Sequence, residues 1–203
     1  MSTRFPDDIE THPPARRGSI RKLIEETEQP GIIALADGTF HSYPAVGHRE
    51  IGDAIESGWQ VWGLCSMGAI RASEMTSVGM HGYGEVYQTF AGDPDFADDE
   101  VALVHGLEEP FLAVSEPLVH IRAYLRHLEM RGTLSPETTL QILGDFKSRW
   151  YADRTLPALA RCLAGHGYQG AVADMRTFGR FRTKTHDLES FLTDRPWTVK
   201  EAR

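Results

Sequence analysis

The chain has few cysteines and no long apolar run, and each absence excludes a class of protein. Its 203 residues contain two cysteines, Cys65 and Cys162, which are too few for a disulfide framework or a cysteine-rich zinc site. No stretch approaches the roughly 20 apolar residues that span a bilayer, and residues 1–8 lack the apolar segment of a signal peptide. We therefore expect a globular protein of the cytoplasm, with both thiols reduced and no membrane partner.

Basic residues are missing from one long stretch. Between Gln88 and Glu116 there is no lysine or arginine, while eight carboxylates occur, at Asp93, Asp95, Asp98, Asp99, Glu100, Glu108, Glu109 and Glu116. From Arg122 to Lys184 the balance reverses. The net charge of -8 argues against nucleic-acid binding, which requires neutralisation of phosphates by Lys and Arg. The asymmetry indicates either two solvated faces of opposite sign or docking faces for charged protein partners.

Short apolar runs alternate with amphipathic segments along the first half of the chain. Residues 31–36 and 59–64 are apolar and of strand length, and residues 48–57 and 67–78 have apolar residues at helical spacing. Strand, helix, strand and helix in this order predict a parallel unit. A further strand is expected at 100–104. Three apolar stripes predict helices near 118–128, 136–150 and 156–165.

The predicted fold class is α/β, with a small, mostly parallel sheet, a helical cover and a helical C-terminal half. Residues 1–16 are polar and contain three prolines, so we expect a flexible arm there. Residues 17–165 form the predicted α/β core. Residues 166–203 form a basic C-terminal extension that packs on the core or flanks it.

The stretch Gly63–Met75 joins the second predicted strand to a helix through small residues, with Cys65 and Ser66 at the junction. The carboxyl ends of parallel strands are the usual place for a site in open α/β sheets, and the amides of a helix start favour a carboxylate, a thiocarboxylate or an oxyanion. The junction resembles a nucleophile elbow, although Leu64 and Met67 stand where small residues are expected. A nucleophile, a substrate cradle and simple helix capping by Ser66 all stay open.

Other titratable residues lie near this junction in the predicted topology. Asp37 follows the first strand and is either a base at the same sheet edge or a turn-former whose carboxylate binds nearby amides. His48 opens the next helix beside Glu50 and is either a general base or an ordinary histidine. Arg71 and Glu74 are spaced to face one another. A buried Arg71 would clamp a carboxylate terminus, whereas an exposed pair would contribute little.

Metal chemistry has weak support in the sequence. Asp98, Asp99, Glu100 and His105 are ligand types for a divalent cation, but adjacent carboxylates on a strand point to opposite faces. No phosphate-loop spacing and no zinc-binding histidine pair occurs. We expect neither a metal nor a cofactor.

Seven ordered blocks connect the chain to a known family. They are Pro14–Gly18, Ala36–Phe40, Ala45–Ile51, Gly63–Met75, Gly79–Gly84, Asp98–Ala102 and Ser115–Val119. Taken together they resemble the TfuA-like family, accessory proteins found with YcaO enzymes in peptide thioamidation. The resemblance runs from about Pro14 to about Arg154, and Ser66–Glu74 is its most recognisable block.

The resemblance implies a role in installing sulfur in a peptide backbone amide. In this family the YcaO partner activates the amide oxygen with ATP. The TfuA-like protein either releases sulfide from a thiocarboxylated, ThiS-like ubiquitin-like carrier or acts as a non-catalytic adaptor that activates YcaO or presents its substrate. The implied partners are a YcaO protein, the sulfur carrier and the peptide or protein substrate, and a homo-oligomer stays open. A third interpretation is an unrelated serine hydrolase acting on a small ester.

The enzymatic alternative gives the catalytic roles to four residues. Ser66, or with less support Cys65, attacks the thioacid carbon or positions a water molecule. His48 or Asp37 serves as the base.

Five further residues form the predicted substrate-binding set. Amides near Met67 and Gly68 hold the oxyanion, and Arg71 binds the C-terminal end of the carrier. Glu50 and Glu74 complete the set.

Overall fold

The computed structural model describes residues 5–37, 43–93, 96–108 and 111–199. Their contacts divide the chain into two compact units. The sheet unit comprises the described residues up to Phe96 and those from Lys184 onward, and the helical unit comprises Ala97–Thr183. The predicted fold class is confirmed, because the sheet is small and parallel and the C-terminal part is helical.

The sheet unit is a β–α–β–α–β run preceded by one helix. Helix α1 (Ser19–Glu26) leads to strand β1 (Ile32–Leu35), and helix α2 (His48–Glu56) connects β1 to β2 (Gln60–Gly63). Helix α3 (Met67–Met75) and a 3-10 turn connect β2 to β3 (His81–Gly82), and helix α4 (Gly84–Gly92) follows directly. The strand order is β1-β2-β3 with both pairings parallel. The strands predicted at 31–36 and 59–64 are therefore confirmed.

Helix α3 packs very close to the sheet, because two glycines leave no side chain in between. A Cβ on Gly63 would lie 2.1 Å from the carbonyl oxygen of Gly68, and a Cβ on Gly68 would lie 1.6 Å from the carbonyl oxygen of Leu35. Neither position accepts a side chain without movement of backbone atoms. This close approach fixes the first turn of α3 at the ends of β1 and β2.

The helical unit is built from α5 (Leu118–Met130), α6 (Pro136–Ser148), α7 (Leu156–Gly165) and the short α8 (Ala171–Asp174). Its core includes Leu125, Phe146 and Leu159, all fully buried. The predicted start of α6 is confirmed, because the Ser135 hydroxyl accepts a hydrogen bond from the amide of Thr138 at 3.1 Å and proline occupies the first turn.

The last helix, α9 (Thr183–Asp194), is followed by a 3-10 turn at Pro196–Thr198. From Lys184 onward these residues belong to the sheet unit. None of the helices in the described ranges has the length and apolar content that crossing a membrane requires.

Two local predictions are wrong. The strand predicted at 100–104 is a single 3-10 turn, Asp98–Val101, and a lone bridge joins His105 to Ala113. The apolar stripe predicted for α6, Leu140, Leu143, Phe146 and Trp150, is displaced, since Ile142 and Phe146 are buried whereas Leu140 and Trp150 are exposed. In both cases the local pattern is ambiguous and packing decides the outcome.

Candidate functional site

The carboxyl ends of three parallel strands meet at one edge of the sheet unit. Strand β1 leads to Asp37, β2 leads to Cys65 and Ser66, and β3 leads to Tyr83 and Gly84. Helices α3 and α4 both begin at this edge. The predicted convergence of Asp37 with the Cys65–Ser66 turn is confirmed, and this edge is the usual position of a site in such sheets.

The turn between β2 and α3 is tight and strained at Cys65. Cys65 has a φ of 64°, a conformation that few residues other than glycine adopt. The amide of Ser66 donates to the carbonyl oxygens of Leu64 at 2.8 Å and of Ala36 at 3.1 Å. The first of these bonds closes a γ-turn around Cys65. Cys65, rather than Ser66, therefore holds the strained position at this strand-to-helix junction, and such strain is concentrated at functional sites.

The Cys65 thiol is covered and protonated. Its side chain is only 5% exposed, and Sγ donates a hydrogen bond to the carbonyl oxygen of Lys184 at 3.1 Å. Burial, followed by the negative charge of Asp187 and with a smaller contribution from Asp37, raises the pKa of the thiol well above its ordinary value. Because the thiolate is the nucleophilic form, Cys65 is not activated in this arrangement.

Ser66 is the residue that immediately precedes α3. It is 2% exposed, and its side chain makes no capping hydrogen bond to the helix. The interpretation of Ser66 as a simple side-chain cap is therefore wrong. The first amides of α3, at Met67 and Gly68, have no acceptor within the helix, as in any helix.

His48, Arg71 and Glu74 form one hydrogen-bonded group on the outer side of α2 and α3. Arg71 Nη1 donates to Glu74 Oε2 at 2.6 Å, and His48 Nε2 donates to the same oxygen at 2.8 Å. Arg71 Nε also donates to the carbonyl oxygen of Val46 at 2.9 Å. The predicted pairing of Arg71 with Glu74 is confirmed, and His48 joins it. No hydrogen bond within the described residues connects His48 to Ser66.

Glu50 braces the starts of two helices. Its buried carboxylate accepts hydrogen bonds from the amides of Gly47 at 2.8 Å, Gly18 at 3.0 Å and Ile20 at 3.2 Å. These bonds satisfy amide groups at the starts of α1 and α2. They join the segments Pro14–Gly18 and Ala45–Ile51 to one another. The role of Glu50 in substrate binding stays a prediction.

A carboxylate that sequence reasoning missed occupies the start of α4. Asp187, from α9, accepts hydrogen bonds from the amides of Glu85 at 2.8 Å and Val86 at 3.0 Å. Gly84, at a φ of 92°, leaves room for this carboxylate, since a Cβ there would lie 2.3 Å from Asp187 Cγ. Burial raises the pKa of Asp187 even though both amide bonds lower it. The feature of the sequence that could have indicated this close contact is the glycine-rich run Gly82–Tyr83–Gly84.

The C-terminal residues cover the same edge. Phe191 packs against Leu64 and Cys65, and its ring lies edge-on to Tyr83 with centroids 5.2 Å apart. The Tyr83 hydroxyl donates to Asp194 at 2.5 Å. An open pocket of about 340 Å³ remains between the start of α4 and α9.

Two of the acidic residues considered as metal ligands bind guanidinium groups. Asp99 forms an ion pair with Arg154, and Glu100 accepts two hydrogen bonds from Arg122 at 2.6 and 2.8 Å. Within the described residues, no group of three or more His, Cys, Asp or Glu side chains is placed to hold a metal ion. The acidic block therefore braces the helical unit.

A family model described as TfuA-like protein matches residues 37–155. The match covers more than half of the chain and includes the whole edge from Asp37 to Gly84, whereas α9 lies outside it. No curated protein matches the chain. On the family match, the chain belongs to the TfuA-like family.

Proposed function

We propose that this protein is an accessory enzyme of peptide thioamidation, which releases or transfers sulfide from a thiocarboxylated ThiS-like carrier to a YcaO enzyme in the cytoplasm. Membership of the TfuA-like family supports the coarser part, an accessory role in thioamidation with a protein partner. The finer part rests on one observation. The strained Cys65–Ser66 turn lies at the sheet edge where two helix N-termini open.

The reaction requires no redox chemistry. A thiocarboxylate and water give a carboxylate, hydrosulfide and a proton. In the two-step route, the Ser66 oxygen adds to the thioacid carbon, the C–S bond breaks, and hydrosulfide leaves to give an acyl ester. Water then hydrolyses the ester and regenerates the serine. Since hydrosulfide is a good leaving group, the main requirement is stabilisation of the oxyanion.

The geometry favours Ser66 over Cys65 as the nucleophile. The Cys65 thiol is protonated and hydrogen-bonded to Lys184, whereas Ser66 stands directly at the start of α3. In this proposal Asp37 accepts the proton, because it follows β1 at the same edge and its charge acts on the turn. The amides of Met67 and Gly68 hold the oxyanion.

The group formed by His48, Arg71 and Glu74 is proposed to dock the carrier. His48 and Glu74 are exposed and therefore accessible to a protein partner. Arg71 is held by Val46 and Glu74, so its guanidinium is oriented in advance for a carboxylate-containing terminus. His48 serves this docking group rather than the proton transfer.

A non-catalytic adaptor is the second candidate function. The observation that favours it is the burial of both potential nucleophiles, since Cys65 and Ser66 are 5% and 2% exposed. An adaptor would bind and activate YcaO or present its peptide substrate. The turn would then serve only the packing of α3 on the sheet.

Sulfide release from a thiocarboxylated ThiS-like carrier discriminates between the two candidates. We expect the purified protein to release sulfide and to convert the carrier to its carboxylate form, measured by a sulfide assay and by mass spectrometry. Ser66→Ala should reduce this rate by at least about 100-fold. Cys65→Ala should have a much smaller effect.

Two matched variants control for damage to the fold. Ser73→Ala removes a hydroxyl that bonds only the carbonyl oxygen of Ile70, elsewhere on α3, and Cys162→Ala removes the other thiol. Both should retain wild-type sulfide release. If the wild-type protein leaves the carrier intact yet still raises thioamide formation by YcaO, the adaptor replaces the enzyme.

A further inference from the structure

Two buried side chains of α9 anchor the C-terminal residues on the sheet edge. Along α9 from Lys184 onward, Asp187 and Phe191 are the buried side chains, and most of the others are exposed. One anchor is the Asp187 carboxylate on the amides of α4. The other is the Phe191 ring against Leu64 and Cys65. Leu188 and Trp197 also pack against this cluster, whereas the hydrogen bonds of Asp194 with Tyr83 and of Arg195 with Asp8 are exposed. A short segment with few fully buried side chains thus covers the edge, and such segments open locally.

The contact between α9 and Cys65 closes the site directly. The carbonyl oxygen of Lys184 accepts the hydrogen bond of the Cys65 thiol, and Phe191 packs on the same side of the turn. Cys65 is covered in this way, and Ser66 beside it is also almost fully buried. A carrier terminus cannot reach either residue while α9 stays in place.

The Asp187 carboxylate is chemically similar to the carrier terminus that the site is proposed to bind. Asp187 presents a carboxylate to the amides of Glu85 and Val86, at the start of α4 and on the same edge as Ser66. Burying a carboxylate in this way has an energetic cost, which the two amide bonds offset only in part. A terminal carboxylate or thiocarboxylate from a partner matches the same pair of donors.

We propose that residues 184–199 form an autoinhibitory strap, and that a carrier's terminal carboxylate or thiocarboxylate displaces Asp187 to open it. The identity of the displacing group rests on the proposed function; the strap itself rests on the contacts of Lys184, Asp187 and Phe191. Opening exposes Cys65, Ser66 and the α4 amides together. The site is thus closed until a partner with the correct terminal group binds.

Labelling of Cys65 by a thiol-reactive nitrobenzoate disulfide tests the strap. The full chain is used with Cys162→Ser, so that Cys65 is the remaining thiol. We expect slow labelling in this background and labelling at least about tenfold faster after Phe191→Ala, because local opening controls access to a buried thiol. Asp187→Asn also removes a charge that raises the pKa of the thiol, so its effect is measured instead as faster hydrogen exchange of the α9 amides. Adding the unthiolated ThiS-like carrier should also accelerate labelling of the background protein.

The control variant is Glu189→Gln, which changes an exposed carboxylate on α9 and should leave labelling unchanged. Equal labelling rates in all folded variants would overturn the strap. Loss of the far-UV circular dichroism of the folded state in Asp187→Asn would also overturn it, because α9 would then be an integral part of the core. If labelling accelerates while no variant releases sulfide, the strap stands and the proposed hydrolysis fails.

Discussion

Two glycines determine how closely the site turn approaches the sheet. Gly63 and Gly68 face one another, and a side chain on either would overlap backbone atoms. The strained φ of Cys65 is maintained by this packing and by the two hydrogen bonds of the Ser66 amide. A methyl group added at Gly63 or Gly68 would therefore disturb the candidate site as well as lower the stability of the fold.

Gly68→Ala should destabilise the sheet unit by about 3 kcal/mol or more, because the added Cβ meets the Leu35 carbonyl oxygen, which cannot rotate away. Gly52→Ala is the matched control, since it lies in α2 and its Cβ would meet nothing within 4 Å. That control should raise the free energy of unfolding by roughly 0.5–1 kcal/mol. Urea unfolding measures both changes, and equal stabilities would contradict the close packing.

Arg154 connects elements within the helical unit. Its guanidinium is completely buried and donates to the carbonyl oxygens of Phe146 at 3.0 Å, Asp99 at 2.8 Å and Arg149 at 3.1 Å. Phe146 and Arg149 lie at the C-terminal end of α6, where carbonyl groups have few partners within the helix and the Phe146 oxygen also accepts from the Arg149 amide at 3.3 Å. One side chain thus caps α6 and joins it to the 3-10 turn Asp98–Val101.

Arg154→Met should destabilise the helical unit by about 3–5 kcal/mol, because three carbonyl groups each lose a guanidinium donor at once. Arg149→Met is the comparison, since the Arg149 side chain forms a partly exposed ion pair with Asp145 and should cost at most about 1 kcal/mol. Hydrogen exchange of the α5 and α6 amides would report the difference. A small effect for Arg154→Met would show that water replaces the lost donors.

The elements that the sequence predicts best are those with a strong apolar period. The run 31–36 and the helical pattern 48–57 match β1 and α2 closely. Strand β3, by contrast, has two residues in a glycine-rich run, which is too short for any period to appear. The 3-10 turn at Asp98–Val101 depends on Arg154 and Arg122, far along the chain.

Part of the candidate site could be predicted from the sequence and part could not. Asp37, Cys65 and Ser66 could be placed from the order of strands and helices, because parallel strands bring their carboxyl ends together. The contact of Asp187 with the α4 amides could not be predicted, since Asp187 and Glu85 are 102 positions apart in the chain. No local pattern indicates that a charged residue in a polar helix will be buried.

At the scale of the whole chain, part of the charge on the acidic and basic stretches is neutralised within the fold. Asp99, Glu100 and Glu116 from the acidic stretch bind Arg154, Arg122 and Arg182 from the basic one, all within the helical unit. The charges that suggest two docking faces thus partly neutralise one another in the fold. Among these carboxylates Glu116 has a lowered pKa, so the stability of the helical unit should depend on pH.

Glu116 carries the clearest part of this dependence. Burial alone would raise its pKa, but hydrogen bonds from His120 at 2.9 Å and Arg182 at 2.5 Å outweigh burial and lower the pKa below its ordinary value of 4.5. A lowered carboxyl pKa contributes stability above pH 4.5 that is lost as the pH falls through the folded-state value. Glu116→Gln should therefore lower the free energy of unfolding by about 2 kcal/mol at pH 7. Its urea midpoint should also fall less steeply than that of the wild type as the pH is lowered. The control Glu137→Gln, at an exposed position in α6, should show the same pH dependence of the urea midpoint as the wild type. If Glu116→Gln also shows the wild-type dependence, other carboxylates are responsible for the loss of stability in acid.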